Sequence, residues 1–522
     1  MSENHIIVEL LESSVAKYPD YAAVRWTEKR KVQERSYREL NADKNKVTSA
    51  LLKRGFEGKQ VAMIGTSAYE WIATWLGIVS GKMTAVPLDP VLPALELCDL
   101  INRSDSEALF VSPKMKAIIE VVQENCPAVR LFVILSDKPV PEGSPAISFA
   151  DFIAEESGDE LPADTRPEAD DVSTIIFTSG TTGKPKGVML TQRNMYDDVE
   201  NVIVTFDPGT SMLSVLPIHH AYCLVMDWLK GFSTGASIFI NDTLLHMMRN
   251  IRNVQPQIML MVPLMIETIG KRLAEVDVDA PKEVIAKQVL GENLEYIFSG
   301  GAHLDPSYID LFESYGIKVC EGYGMSECSP TISTNGENGN RPGSVGKLLA
   351  NMQVRFVDGE IQVKGSNVMK GYYKMPKETE EAFSDGWLRT GDLGRMDEDG
   401  YLYITGRLKN LIIASNGENI SPEEIENALL SNGLVGEVVI AGEDNGLSAR
   451  IFPDPEYVEA QELGPEEIAA QLQEILDAYN KTQPTYRAIT ALTIRKFPFI
   501  KNSTKKIVRA KMDIDEDPEA AL

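Results

Sequence analysis

Between residues 60 and 136 the chain repeats one pattern: a short apolar run, a longer amphipathic stretch, then another apolar run. Val61-Ala62-Met63-Ile64 reads as a buried strand, and AYEWIATWLGIVS (68 to 80) has the length and apolar spacing of a helix. Ala85-Val86-Pro87-Leu88 begins a second strand and ends at a turn. LPALELCDLI is a helix, ALFVS a strand, and a further helix leads into RLFVILS. Strands that alternate with helices pair in parallel and carry the helices on both faces, so the pattern predicts an α/β fold with doubly wound sheets.

At 522 residues the chain exceeds one typical core, and two to four domains are expected. Ser36-Tyr37-Arg38-Glu39 has the form of a capping box opening a helix. Residues 154 to 171, AEESGDELPADTRPEADD, are acidic and rich in loop formers and read as an exposed connector. The alternation resumes at Ser173 and runs to about Tyr323. From 341 to 405, short strand-like runs between glycines suggest an antiparallel β subdomain. A small α+β domain is expected after Arg407, opening with the cap, N1 proline and acidic residues of Ser421-Pro422-Glu423-Glu424. The tail DIDEDPEAAL is expected to fray. The expected division is a large domain over 1–406, with the β subdomain at about 335–406, and a small mobile domain over 407–522.

The net charge of −26 argues against sequence-independent nucleic-acid binding. The five cysteines, Cys98, Cys126, Cys223, Cys320 and Cys328, form no C-x-x-C, which points to a reducing, cytoplasmic setting. The first residues show no secretory signal, and no run of eighteen apolar residues predicts a membrane span.

Directly after the apolar Thr174-Ile175-Ile176-Phe177 comes TSGTTGKPKG (178 to 187), with three glycines, four hydroxyls and two lysines. Backbone N–H groups, hydroxyls and ammonium groups at a strand end suit phosphate oxygens. The run is not a Walker A loop: Thr178 stands five residues before Gly183 where that loop needs glycine, and Pro185 follows Lys184. The plain alternative is a flexible surface loop.

This run resembles the signature loop of the adenylate-forming superfamily, which includes acyl-CoA synthetases, firefly luciferase and peptide-synthetase adenylation domains. Further matches follow in the family's order: VPLDP (86 to 90), LPIHHAY (216 to 222), SGGA (299 to 302), EGYGMSE (321 to 327), LRTGDLG (388 to 394), TGRLKNLIIASNGENISPEEIE (405 to 426) and KNSTKKIVR (501 to 509). The resemblance is closest to AMP-forming fatty acyl-CoA synthetases. It implies a carboxylate attacking the α-phosphate of ATP to give acyl-AMP and pyrophosphate, then a thiol displacing AMP. ATP, Mg²⁺ and CoA are the implied cofactors.

The resemblance assigns residues. Thr178, Ser179, Gly180, Thr181, Thr182, Gly183, Lys184 and Lys186 would hold the β- and γ-phosphates. Gly301, Ala302, Glu321, Gly322, Tyr323, Gly324, Met325 and Ile404 would border the nucleotide, with Tyr323 stacking on adenine. Ser326, standing where the family usually has threonine, would donate to the α-phosphate, and Glu327 would ligate Mg²⁺. Asp392 would take both ribose hydroxyls and Arg407 would reach ribose and phosphate. Lys409 marks the hinge. Lys506 is the candidate catalytic lysine, although Lys505 replaces the usual glycine before it. Gly417 and Glu418 would line the pantetheine tunnel.

His219, His220, Tyr222 and Gly300 would border the acyl pocket, and His219 also stands as a catalytic candidate without an assigned proton. Amino-acid-activating members carry an aspartate in this segment; His-His-Ala-Tyr argues against an α-amino acid, and Asp227 comes late in the run. A fatty acid is the first expectation and an aryl acid the second. The thiol is CoA or the phosphopantetheine of a carrier protein. A catalytically silent nucleotide binder and a luciferase-like oxidative role are the remaining readings.

Overall fold

The computed structural model describes residues 4–178, 184–276, 278–336, 339–413, 418–443, 446–501 and 507–516. The chain divides into two compact units: Met1–Gln353 with Val363–Leu388, and Val354–Gln362 with Arg389–Leu522.

The first unit holds two mixed sheets. One has eight strands in the order Gly371–Tyr372, Lys186–Thr191, Val172–Thr178, Thr84–Leu88, Gln60–Ile64, Ser106–Val111, Leu131–Ile134 and Ile147–Ser148. From Val172–Thr178 onward its neighbours are parallel, as the alternation predicts. The other has nine strands, ordered Lys347–Leu348, Thr331–Thr334, Lys318–Gly324, Tyr296–Ser299, Ile258–Met261, Ser211–Ser214, Ser237–Ile240, Ala22–Glu28 and Lys31–Ser36. Its centre is parallel and its two edges are antiparallel.

The helix Tyr69–Val79 touches strands of both sheets and is buried on every side, which explains a sequence that is apolar all round rather than striped. Trp71 and Trp75 are fully buried on it. The capping box at Ser36 forms: the hydroxyl accepts from the Glu39 amide, and the Glu39 carboxylate accepts from the Ser36 amide. The acidic connector contains one short helical turn, Ala163–Thr165, and is largely exposed.

In the second unit, Asp392–Met396 of the strand Trp387–Met396 pair antiparallel with Leu402–Arg407. Further along, the strands Val435–Glu443, Gly446–Pro453 and Ile489–Ile494 form a three-stranded sheet. The helices Pro422–Leu430 and Pro465–Lys481 share its apolar core, through residues such as Ile425, Leu429, Leu472 and Leu476.

The helix Pro422–Leu430 starts where the sequence predicts, with proline at its first position. Its cap differs. The Ser421 hydroxyl makes no capping bond to the helix amides and instead donates to the Thr405 carbonyl at 2.8 Å. The tertiary partner outcompetes the local one.

Candidate active site

The glycine-rich run joins two antiparallel neighbours. Val172–Thr178 and Lys186–Thr191 pair as a hairpin, with Thr178 opposite Lys186. Val172–Thr178 also pairs in parallel with Thr84–Leu88, and the helix Gln192–Asn201 follows the hairpin, so the alternation expected from Ser173 onward carries one antiparallel strand at its start. Ser179, Gly180, Thr181, Thr182 and Gly183 lie outside the described residues. Lys184 is exposed.

Lys186 is half-buried, and its Nζ sits 4.8 Å from the centre of the Tyr372 ring. The Tyr372 hydroxyl in turn donates to Glu327 Oε1 at 2.9 Å. Thus the phosphate-type loop and the GYGMSE motif are linked through one side chain. Tyr372 is delivered by Gly371–Tyr372, which pairs with Val188 and Met189 on the hairpin. Nothing local in the sequence singles out Tyr372; strand register alone brings it to Glu327.

The EGYGMSE segment runs out of Lys318–Gly324, buried at its start and emerging at Gly322 and Tyr323. Glu321 is buried and accepts from the Leu304 amide; loss of hydration pushes its carboxyl up to about 7. Gly324 must be glycine, because a Cβ there would lie 1.9 Å from the Pro330 carbonyl oxygen. Met325 donates its amide to that same oxygen at 2.8 Å, and Ser326–Cys328 follow as a single helical turn. Glu327 is buried. The strand behind it is held by buried Asp198, which accepts from the Thr331 amide at 3.2 Å and from Asn367 at 3.1 Å. Burial raises that carboxyl well above its usual range.

Gly301 has a φ of +89°, and it and Ala302 are exposed after the strand Tyr296–Ser299. Gly300 packs under Tyr222: a Cβ there would meet the ring at 3.0 Å, and the Tyr222 hydroxyl donates to the Phe298 carbonyl at 3.0 Å. Tyr222 opens a stretch of π-helix, Tyr222–Leu229, of a kind frequently found at functional sites. Within it Asp227 is fully buried beside Cys223 and Ser214, and burial pushes its carboxyl up to about 7. His219 is buried, with its Nε2 3.6 Å from Asp89 Oδ1, and its ring lies 4.2 Å from that of His220. Asp89 belongs to VPLDP, so two segments singled out separately in the sequence meet here.

In the second unit Asp392 is buried and sits opposite Arg407 across the strand pair, 2.9 Å from the guanidinium Nε. The Asp392 amide donates to the Thr390 hydroxyl at 3.0 Å, which fixes the turn that presents the carboxylate. Ile404 is half-buried on the same pair, and Lys409 lies in the short turn Leu408–Asn410 that follows. Glu418 is exposed just before the strand Asn419–Ile420; Gly417 lies outside the described residues.

Lys506 also lies outside the described residues. The segments that bracket it are anchored: Lys501 and Ile507 form an antiparallel bridge, and Lys501 pairs with Glu437 at 2.7 Å. Arg509 pairs with Glu426, which also accepts from the Ile440 amide.

The donors at Glu327 fit Mg²⁺, a cation that takes one or two carboxylates plus phosphates and waters. No described helix is long and apolar enough to cross a membrane.

The sequence pattern of the AMP-binding enzyme family matches residues 11–373, and that of the AMP-binding enzyme C-terminal domain matches residues 409–513. The chain is 28% identical over 483 residues to the peroxisomal long chain acyl-CoA synthetase 7 of Arabidopsis thaliana, covering 81% of this chain and 69% of that one. It is 28% identical over 531 residues to the oxalate–CoA ligase of the same plant, covering 96% of each. Its fold matches the crystal structure of the anthranilate CoA ligase AuaEII in complex with anthranoyl-AMP, with a TM-score of 0.84 at 21% identity over 100% of this chain and 99% of that one. That architecture is a large N-terminal and a small C-terminal domain. The chain belongs to the AMP-binding enzyme family and is an AMP-forming acid–thiol ligase.

Proposed function

We propose that the protein activates an aliphatic carboxylic acid as its acyl-AMP and passes the acyl group to CoA. The observation that carries the reading is the link from Lys186 through Tyr372 to Glu327, which joins the phosphate-type hairpin to the motif expected to hold metal and α-phosphate. Carboxylate oxygen is a poor leaving group, whereas AMP is a good one, so adenylation is the step that makes thioester formation feasible. Attacking and leaving oxygens lie roughly in line in phosphoryl transfer, and positioning plus charge neutralisation supply most of the catalysis.

In this reading Thr178, the glycine-rich run, Lys184 and Lys186 orient the pyrophosphate leaving group. Tyr323 supports adenine, with Gly301, Ala302, Glu321, Gly322, Gly324, Met325 and Ile404 around the nucleotide. Ser326 donates to the α-phosphate. Asp392 accepts from the ribose diol, as an acceptor-only carboxylate does, and Arg407 holds that carboxylate in place. Lys506 steadies charge between the carboxylate and the α-phosphate. Lys409 serves as the pivot between half-reactions, and Gly417 with Glu418 borders the pantetheine path. Glu327 would hold Mg²⁺, which supplies neutralisation of phosphate charge when bound. The five buried thiols are consistent with a cytoplasmic, reducing location.

A fatty acid is the first substrate reading, supported by the acyl-CoA synthetase relative and by Tyr222 packed against Gly300. A short polar acid is the second, favoured by the Asp89–His219–His220 cluster and by the oxalate–CoA ligase relative. Acid-dependent exchange of pyrophosphate into ATP, run against fatty, aryl, dicarboxylic and amino acids, separates them. Exchange with aliphatic monoacids and CoA-dependent AMP release are expected. Exchange confined to amino acids, or AMP release indifferent to CoA but responsive to a phosphopantetheinylated carrier protein, would contradict the proposal.

A further inference from the structure

We propose that Asp89, His219 and His220 form a binding site for a divalent transition-metal ion of the zinc type. This goes beyond the ligase reading but uses side chains that the same reading places beside the acyl pocket; metal content and ligand geometry test it without reference to acid turnover.

Asp89 directly follows the strand Thr84–Leu88 of the eight-stranded sheet. The two histidines lie beyond the strand Ser211–Ser214 of the nine-stranded sheet. The cluster therefore joins the carboxyl ends of parallel strands from two sheets, the position at which open α/β sheets bind ligands. One ligand atom from each of the three residues lies within 4.8 Å of the others, the one such group of three among the described residues.

The observation that points to a ligand is at His219. His219 has a side chain only 8% exposed, and its Nε2 makes no hydrogen bond to any described residue. A buried imidazole nitrogen without a hydrogen bond is costly unless something else engages it. The nearest carboxylate oxygen, Asp89 Oδ1, is 3.6 Å away, too far for a hydrogen bond. That separation matches a coordination edge: with metal–ligand bonds of about 2.0–2.2 Å, tetrahedral neighbours stand roughly 3.3–3.6 Å apart. The two imidazole rings lie 4.2 Å apart, centre to centre, and are tilted by 47° to one another.

Two imidazoles and one carboxylate select zinc, cobalt or nickel over Mg²⁺, which prefers an all-oxygen shell. Three protein ligands leave a fourth position for water or a carboxylate. A metal here is distinct from the Mg²⁺ expected at Glu327.

The test uses the whole chain, stripped with a chelator and titrated with Co²⁺ in the presence of excess Mg²⁺. Metal content is read by atomic emission and ligand geometry by the visible absorption of the bound ion. About one Co²⁺ per chain with the intense absorption of a tetrahedral site is expected. Asp89→Asn and His219→Gln should each weaken binding roughly tenfold or more, while His246→Gln, outside the cluster, should not. Circular dichroism checks that each variant is folded; Asp89→Asn, at a partly exposed position, carries the test if His219→Gln fails to fold. Absence of retained Co²⁺, a weak octahedral spectrum, or binding that survives Asp89→Asn would overturn the proposal.

Discussion

At Glu327 a buried carboxyl group accepts a hydrogen bond from a phenol. The Tyr372 hydroxyl donates to it, and the Lys186 ammonium lies over the same ring. Removing the carboxylate should cost far more than removing its support. Glu327→Gln is expected to lower pyrophosphate exchange by at least about a hundredfold, the scale of losing one preorganised electrostatic group. Tyr372→Phe deletes one hydrogen bond to a charge, worth about 1.5–3 kcal/mol, and should raise the Mg²⁺ concentration that half-saturates exchange. An unchanged Mg²⁺ dependence in Tyr372→Phe would show that the contact is only structural. Asp227 makes a different prediction. Its carboxyl is raised by burial to about 7, so its contribution to stability is complete below the ordinary carboxylate range and is lost as pH rises toward 7. Between about pH 5 and about pH 8 the native chain should therefore lose on the order of 2 kcal/mol that Asp227→Asn does not lose. Urea unfolding of both at the two pH values checks it; parallel pH dependence in the two proteins would contradict it.

At the scale of elements, close approach of backbones decides what the motif tolerates. Gly324 lies where the strand Lys318–Gly324 meets the returning Thr331–Thr334, and any Cβ would strike the Pro330 carbonyl. Gly324→Ala is expected to destabilise the first unit by roughly 1–3 kcal/mol, as overpacking does, and to reduce exchange further by shifting Ser326 and Glu327. A thermal melt together with the exchange assay tests it, and a variant with native stability and rate would contradict it. Much at this scale was legible beforehand. The helix Tyr69–Val79, the strands Gln60–Ile64 and Thr84–Leu88 and the Ser36 capping box all follow from local spacing and local hydrogen bonding. What stayed hidden was set by distant partners. Ala22–Glu28 pairs with Ser237–Ile240, a neighbour that no local pattern can name. The Ser421 hydroxyl goes to Thr405 rather than to its own helix. Tyr372 and Asp89 gain their places only through register and strand order, so neither stood out beside motifs that announce themselves by glycines, hydroxyls and charge.

For the whole molecule, the proposed function puts two half-reactions on one chain, with the C-terminal region expected to separate them. Lys409 sits in the short turn that follows the strand bearing Arg407, where proline would restrict backbone rotation. Lys409→Pro should impair thioester formation more than pyrophosphate release; equal loss of both would remove the hinge assignment. Lys506 is the sharper case, because its assignment rests on register with Ile507 and Arg509 against the departure at Lys505. The bridge at Lys501 and Ile507 and the pairing of Arg509 with Glu426 anchor the flanks of that segment, so an alanine at 506 leaves its supports in place. The direct measurement is a comparison of native chain and Lys506→Ala in the two half-reactions, with acid-dependent exchange of pyrophosphate into ATP as one and acyl transfer from supplied acyl-AMP to CoA as the other. Exchange is expected to fall by at least about a hundredfold while transfer from acyl-AMP stays close to native. Equal loss in both, or unimpaired exchange, would contradict it.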